Sequence, residues 1–97
     1  MDEKRKFFRI RNRGEMHACI EDNEIHIIDL SACSAAITPG IELPHTGIME
    51  LKINMFKINL NYELLRVDKE KAILIFNDEE HIAKLLAVLK NLRREQV

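Results

Sequence analysis

Between Met49 and Leu92 the apolar residues change period from two to 3.6, and this switch constrains the fold more than any other feature of the chain. Met49, Leu51 and Ile53 alternate with Glu50, Lys52 and Asn54, and Phe56, Ile58, Leu60, Tyr62 and Leu64 alternate with Lys57, Asn59, Asn61 and Glu63. Strict alternation places the apolar set on one face of a pleated strand and the polar set on the other. The phase slips at Met55-Phe56. Because a one-residue slip turns every side chain to the opposite face, a turn or bulge is required there. Asp68-Lys69-Glu70 predicts another hairpin turn, leading into a strand over Ala72–Phe76. Beyond it, Ile82, Leu85, Leu86, Leu89 and Leu92 form a stripe at helical spacing. Asn77 or Asp78 can cap its start; Glu79 and Glu80 sit at its positive end, and Lys90, Arg93 and Arg94 at its negative end. These signals predict an amphipathic helix over about residues 78–95 whose stripe covers the sheet.

The first half of the chain also reads as strands. Met16, Ala18 and Ile20 alternate with His17, Cys19 and Glu21, and residues 21–24 supply a tight turn. Ile25, Ile27, Ile28 and Leu30 continue with a blurred alternation. Ser31 to Ser34 is a small, polar turn, followed by a short strand over residues 35–38, and Pro39-Gly40 and Pro44 punctuate a loop up to Gly47. A chain of 97 residues is long enough for one domain with its own core. Many short strands and one helix in that length predict an all-β fold, a small antiparallel barrel with a C-terminal helical plug. Six basic residues, Lys4, Arg5, Lys6, Arg9, Arg11 and Arg13, fall before Gly14. Residues 1–13 are expected to be a flexible basic arm, and residues 14–97 the barrel.

Composition narrows the function. The formal net charge is −1, which argues against a globally basic nucleic-acid binder. The aromatic residues, four Phe and one Tyr, are too few for a single-strand stacking platform, so no DNA or RNA partner is expected. No run approaches the roughly 18–20 apolar residues of a membrane span, and the N-terminal residues contain no apolar secretory segment. The expectation is a cytoplasmic chain without membrane insertion, with Cys19 and Cys33 as reduced, packed thiols. Neither a glycine-rich phosphate loop nor a nucleophile elbow is present, so no enzymatic activity is expected. His17 and Cys19 share a strand face that His26 can approach, but nothing resembles paired-cysteine zinc spacing. Neither metal nor cofactor is expected.

Two short segments carry binding chemistry. Arg5 and Arg9 flank Phe7-Phe8 in the basic arm. A guanidinium makes bidentate contacts to phosphate oxygens or a guanine edge and stacks on a base, although a solvated basic tail would look the same. In Asp29-Leu30-Ser31-Ala32-Cys33-Ser34, strand gives way to turn. Asp29 can accept paired N–H donors of the kind a guanine edge offers, and Ser31 can donate to a phosphate oxygen; alternatively both side chains bond the turn's own backbone.

Taken together, Arg5-Lys6-Phe7-Phe8-Arg9 and Asp29-Leu30-Ser31-Ala32-Cys33-Ser34 resemble the PilZ domain family, which shows an RxxxR leader, a strand pair and a [D/N]xSxxG turn. The resemblance extends over essentially the whole chain. It implies a six-stranded antiparallel PilZ-type β-barrel with a C-terminal helix, and a receptor for cyclic di-GMP, a bacterial second messenger. By position, Arg5 and Arg9 would contact the guanines and phosphates, Asp29 would read a guanine edge, and Ser31 would hold a phosphate or support the turn. Ser34 stands where the family has glycine. A serine held in a left-handed glycine conformation there would cost on the order of 1 kcal/mol and bring its Cβ towards the ligand. The implied mechanism is ordering of the N-terminal arm on binding, which changes a surface for a protein partner. The alternative is a ligand-free PilZ-like adaptor that works through protein contacts.

Overall fold

The computed structural model describes residues 8–40 and 42–95. It contains eight strands, β1 (Ile10–Arg11), β2 (Met16–Ile20), β3 (Asn23–Ile25), β4 (Ile27–Leu30), β5 (Ser34–Ile37), β6 (Thr46–Ile53), β7 (Phe56–Val67) and β8 (Ala72–Phe76), followed by the helix α1 (Glu79–Glu95). All the strands belong to one antiparallel sheet, in the order β1-β4-β5-β8-β7-β6-β2-β3.

The phase slip at Met55-Phe56 is a two-residue hairpin turn. Ile53 pairs directly with Phe56, so the two share a face although their numbers differ in parity. Asn54 takes the left-handed conformation at φ 53°, which asparagine tolerates better than most residues. The turn after β2 is equally tight: Ile20 pairs with Asn23, and Glu21 and Asp22 both have positive φ, 52° and 68°. Two consecutive left-handed residues match the twist of the flanking strands.

The expected six-stranded barrel is instead a curled sheet of eight strands, for two local reasons. The run Ile25, Ile27, Ile28 and Leu30 is broken at His26. Its first part pairs with β2 and its second with β5 and β1, so one residue separates strands lying near opposite ends of the sheet order. That break curls the sheet. The register shifts between Ile27 and Asp29, which lets Ile27 and Leu30 both face the core and accounts for the blurred alternation. The second reason is β1, formed within the expected arm. Ile10 pairs with Leu30 and is buried, and Arg11 pairs with Asp29. The described part of the expected 1–13 arm is therefore anchored to the sheet.

The concave face gathers Met16, Ala18, Ile20, Ile27, Leu30, Met49, Leu51, Ile53, Leu60, Tyr62, Leu74 and Phe76 into one core. Helix α1 adds Leu85, Leu89 and Leu92 to it, as the stripe requires. Of the two candidate caps, Asp78 is used: its Oδ1 accepts the N–H groups of Glu80 at 3.0 Å and His81 at 3.3 Å. Among the described residues, no helix is long and apolar enough to cross a membrane.

Gly47 has a packing role. A Cβ there would lie 3.1 Å from the ring of Tyr62, its cross-strand partner. The Tyr62 hydroxyl donates to the Pro44 carbonyl at 3.1 Å, fixing the loop ahead of β6.

Candidate ligand-binding site

β1 brings the two motif segments together. Its pairing with β4 is extended by the Asn12 N–H, which donates to the Ile28 carbonyl at 2.9 Å. The Asn12 side chain then ties the leader down on both sides. Its Nδ2 donates to the carbonyls of Met16 at 3.0 Å and Ile27 at 2.9 Å, and its Oδ1 accepts from the N–H of Gly14 at 2.8 Å and of Met16 at 3.2 Å. Both donors and both acceptor sites of the amide are used. Asn12 thus fixes where Arg9 emerges. Sequence reasoning passed over it because an asparagine between two arginines carries no periodic signal.

Arg9 reaches across to the end of β4. Its Nε lies 3.2 Å from Asp29 Oδ1, and its Nη1 donates to Ser34 Oγ at 2.9 Å, a contact between residues 25 positions apart. Asp29 Oδ1 is buried and, the ion pair with Arg9 aside, has no hydrogen-bond partner among the described residues. It retains capacity to accept N–H donors.

Ser31 organises the turn between β4 and β5. It is 1% exposed, and its N–H donates to the Ser34 carbonyl at 2.8 Å. Its Oγ accepts from the N–H of Ser34 at 3.1 Å and of Cys33 at 3.4 Å, lies 3.1 Å from Ser34 Oγ, and donates to the Ser34 carbonyl at 3.3 Å. The Cys33 carbonyl accepts from Phe76 N at 2.8 Å, which binds the turn to β8. These bonds tie the turn to its own backbone through the Ser31 side chain.

Ser34 is not strained. Among the described non-glycine residues, only Glu21, Asp22 and Asn54 have positive φ. Ser34 opens β5 in register with Ile75, in extended geometry that any residue adopts. The backbone strain expected from serine in a glycine conformation is therefore absent.

The structure thus assembles Arg9, Asp29, Ser31 and Ser34 around one turn, whereas Arg5 lies outside the described residues. One further contact was not foreseen. Phe8, the residue before Arg9, lies beneath the Arg93 guanidinium in the last turn of α1, 4.6 Å from ring centroid to Arg93 Cζ. His17, Cys19 and His26 form no metal site: among the described residues, no three His, Cys, Asp or Glu side chains gather in a way that could hold a metal ion. Both cysteines are free and half-buried.

Comparison with known proteins agrees with this geometry. Residues 9–97 match the PilZ-like family, described as PilZ domain-like. The chain belongs to that family. An uncharacterised Legionella protein of known structure is 34% identical to this PilZ-like chain, with a TM-score of 0.89 over 92% of this chain and 97% of that one. The PilZ domain of CeSA from a cellulose-synthesising bacterium is 17% identical and shares the fold, with a TM-score of 0.56 over 86% of this chain and 98% of that one. No curated protein matches the sequence.

Proposed function

We propose that this PilZ-like domain is a non-enzymatic receptor for cyclic di-GMP, working in the bacterial cytoplasm through a protein partner yet to be identified. The observation that carries the reading is the convergence of Arg9, Asp29, Ser31 and Ser34 on one turn. A ligand with two phosphates and two guanines has the complementary groups. Arg9 binds phosphate oxygens or stacks on a base, and Asp29 accepts from the N–H pair of a guanine edge. Arg5, four residues ahead of Arg9 in the sequence, supplies the second guanidinium. Ser31 holds the turn in shape.

Binding draws the segment that carries Arg5 onto this turn and moves Arg9 towards the ligand. Phe8 moves with it, because the two residues are consecutive, and the Phe8–Arg93 contact carries the change to the end of α1. That end of the helix is where the partner surface changes.

Titration calorimetry near physiological salt, with GTP as the control nucleotide, tests the reading. Saturable binding of cyclic di-GMP and none of GTP is expected, with binding abolished by Arg9→Ala and by Arg5→Ala. Retention of wild-type affinity by both variants would overturn it.

A second reading, a ligand-free adaptor, is favoured by one observation: Arg9 already has two partners, Asp29 and Ser34, within the protein. Absence of nucleotide binding by the folded protein, together with capture of a specific partner that α1 surface substitutions abolish, would establish it.

A further inference from the structure

The hydroxyl of Ser34 joins Arg9 to the turn. Its oxygen lies 3.1 Å from Ser31 Oγ, a contact in which either hydroxyl can give its proton, and Ser31 Oγ has the Ser34 carbonyl at 3.3 Å and Cys33 Sγ at 3.7 Å as further acceptors. Whichever way those protons point, Ser34 Oγ accepts from the Arg9 guanidinium, whose Nη1 donates to it at 2.9 Å. Arg9 Nη1, Ser34 Oγ and Ser31 Oγ therefore form one connected chain of hydrogen bonds at the turn.

One consequence follows for an anion at this turn. Arg9 must leave Ser34 before it can give both N–H groups of its fork to a phosphate. Asp29 holds Arg9 from the other side through Nε, so the guanidinium is clamped at two points. The ion pair leaves Nη1 free to swing if its acceptor is removed; the Ser34 hydroxyl takes away that freedom.

We propose that the Ser34 hydroxyl is a latch that holds Arg9 on the turn and so sets the affinity of the site for its phosphate-bearing ligand. This rests on the cyclic di-GMP reading given above. Ser34 is then an affinity-determining residue that acts through Arg9 and not by touching the ligand. The latch differs from a steric block, because a block resides in the Cβ and a latch in the hydroxyl.

Ser34→Ala and Ser34→Gly separate the two. Alanine removes only the hydroxyl, whereas glycine removes the Cβ as well, and the strand geometry of Ser34 is open to both. Titration of cyclic di-GMP into the whole chain is expected to show Ser34→Ala binding about three- to tenfold more tightly than wild type, the range for losing one partly exposed charge-assisted hydrogen bond that competes with binding. Ser34→Gly should gain little more. In the ligand-free protein, the Arg9 Nε–H signal in nitrogen-resolved NMR should exchange with water faster in Ser34→Ala than in wild type.

Unchanged or weaker binding by Ser34→Ala, with wild type binding, would overturn the latch and leave the receptor reading standing. Tightening by Ser34→Gly alone would replace the latch with a steric block. Failure of wild type and both variants to bind, with all three folded, would overturn the receptor reading and the affinity role of Ser34 together.

Discussion

Ser31→Ala distinguishes a residue that holds the binding turn from one that holds the ligand. Ser31 is 1% exposed, and its Oγ is the acceptor for Ser34 N–H at 3.1 Å and, more weakly, for Cys33 N–H at 3.4 Å. Alanine leaves the Ser34 N–H without that acceptor next to a buried methyl group. The bond from Ser31 N–H to the Ser34 carbonyl survives, so the turn is loosened and not opened. Orphaning one buried donor costs about 1–3 kcal/mol, and the marginal second bond adds little. For a domain of this size each kcal/mol lowers Tm by about 4–8 °C, so a fall of about 5–20 °C is expected in thermal unfolding followed by circular dichroism. Ser34→Ala is the control, since it deletes a hydroxyl at the outer end of the same chain and orphans no backbone donor; its Tm should stay within about 2–4 °C of wild type, the scale of an exposed-side hydrogen bond. Ligand affinity of Ser31→Ala should fall only as far as the turn is disordered. A Tm unchanged from wild type combined with complete loss of binding would refute the assignment and make Ser31 a direct ligand contact.

Further expectations follow from the fold. Gly47→Ala should destabilise the domain by about 1–3 kcal/mol in urea unfolding, because the new methyl meets the Tyr62 ring at 3.1 Å between paired strands. Leu89→Ala, which empties part of the contact between α1 and the sheet, should cost about 2–5 kcal/mol. Burial, with a smaller contribution from the Glu21 charge, raises the Tyr62 phenol above its ordinary 10.0. The fold thus favours the neutral phenol; the contribution is full below pH 10.0 and is lost as pH rises through that value towards the folded pKa. Tyr62→Phe should abolish that part of the alkaline slope, and because Tyr62 is the single tyrosine, near-ultraviolet absorbance titration reads its ionisation directly.

The parts of the fold that were legible in the sequence are those whose period has one reading. The slip at Met55-Phe56 demanded a turn, and a two-residue turn is the shortest device that reverses the chain and the parity together. The stripe from Ile82 to Leu92 fits only a helix, and of its two candidate caps Asp78 makes the bonds. Where the period was uninformative, the fold was not legible. Ile25, Ile27, Ile28 and Leu30 are apolar on both parities, so nothing local marks His26 as the break that splits one strand into two and curls the sheet. Ile10–Arg11 is too short to show a period and lies among arginines, whose charge suggested a solvated arm. The residue types of the site were legible because RxxxR and the turn motif name them. The commitments among those residues were not, since the Arg9–Ser34 and Ser31–Ser34 bonds depend on a register set by β1 and by Asn12.

The sign of one substitution decides what Asp29 does. Arg9 and Asp29 neutralise each other, so the described part of the site brings no net charge to a ligand with two phosphates. If Asp29 serves only as the counter-ion of Arg9, Asp29→Asn frees the guanidinium, makes the site more positive and tightens binding of cyclic di-GMP. If Asp29 reads a guanine edge, the same substitution replaces one of two acceptor oxygens with an N–H donor that faces the guanine donors, and binding weakens despite the gain in positive charge. The buried Oδ1 with no hydrogen-bond partner beyond the ion pair supports the second assignment. A loss of at least about tenfold is expected, the equivalent of about 1.4 kcal/mol and within the range for one bidentate base contact. Both side chains of the ion pair are partly exposed, Arg9 more than Asp29, so the stability change is expected to remain below about 1 kcal/mol. Repeating the titration at rising salt separates the charge effect from base reading. A loss that persists unchanged at high salt belongs to the guanine edge, whereas a gain at low salt that fades as salt rises would return Asp29 to the role of counter-ion.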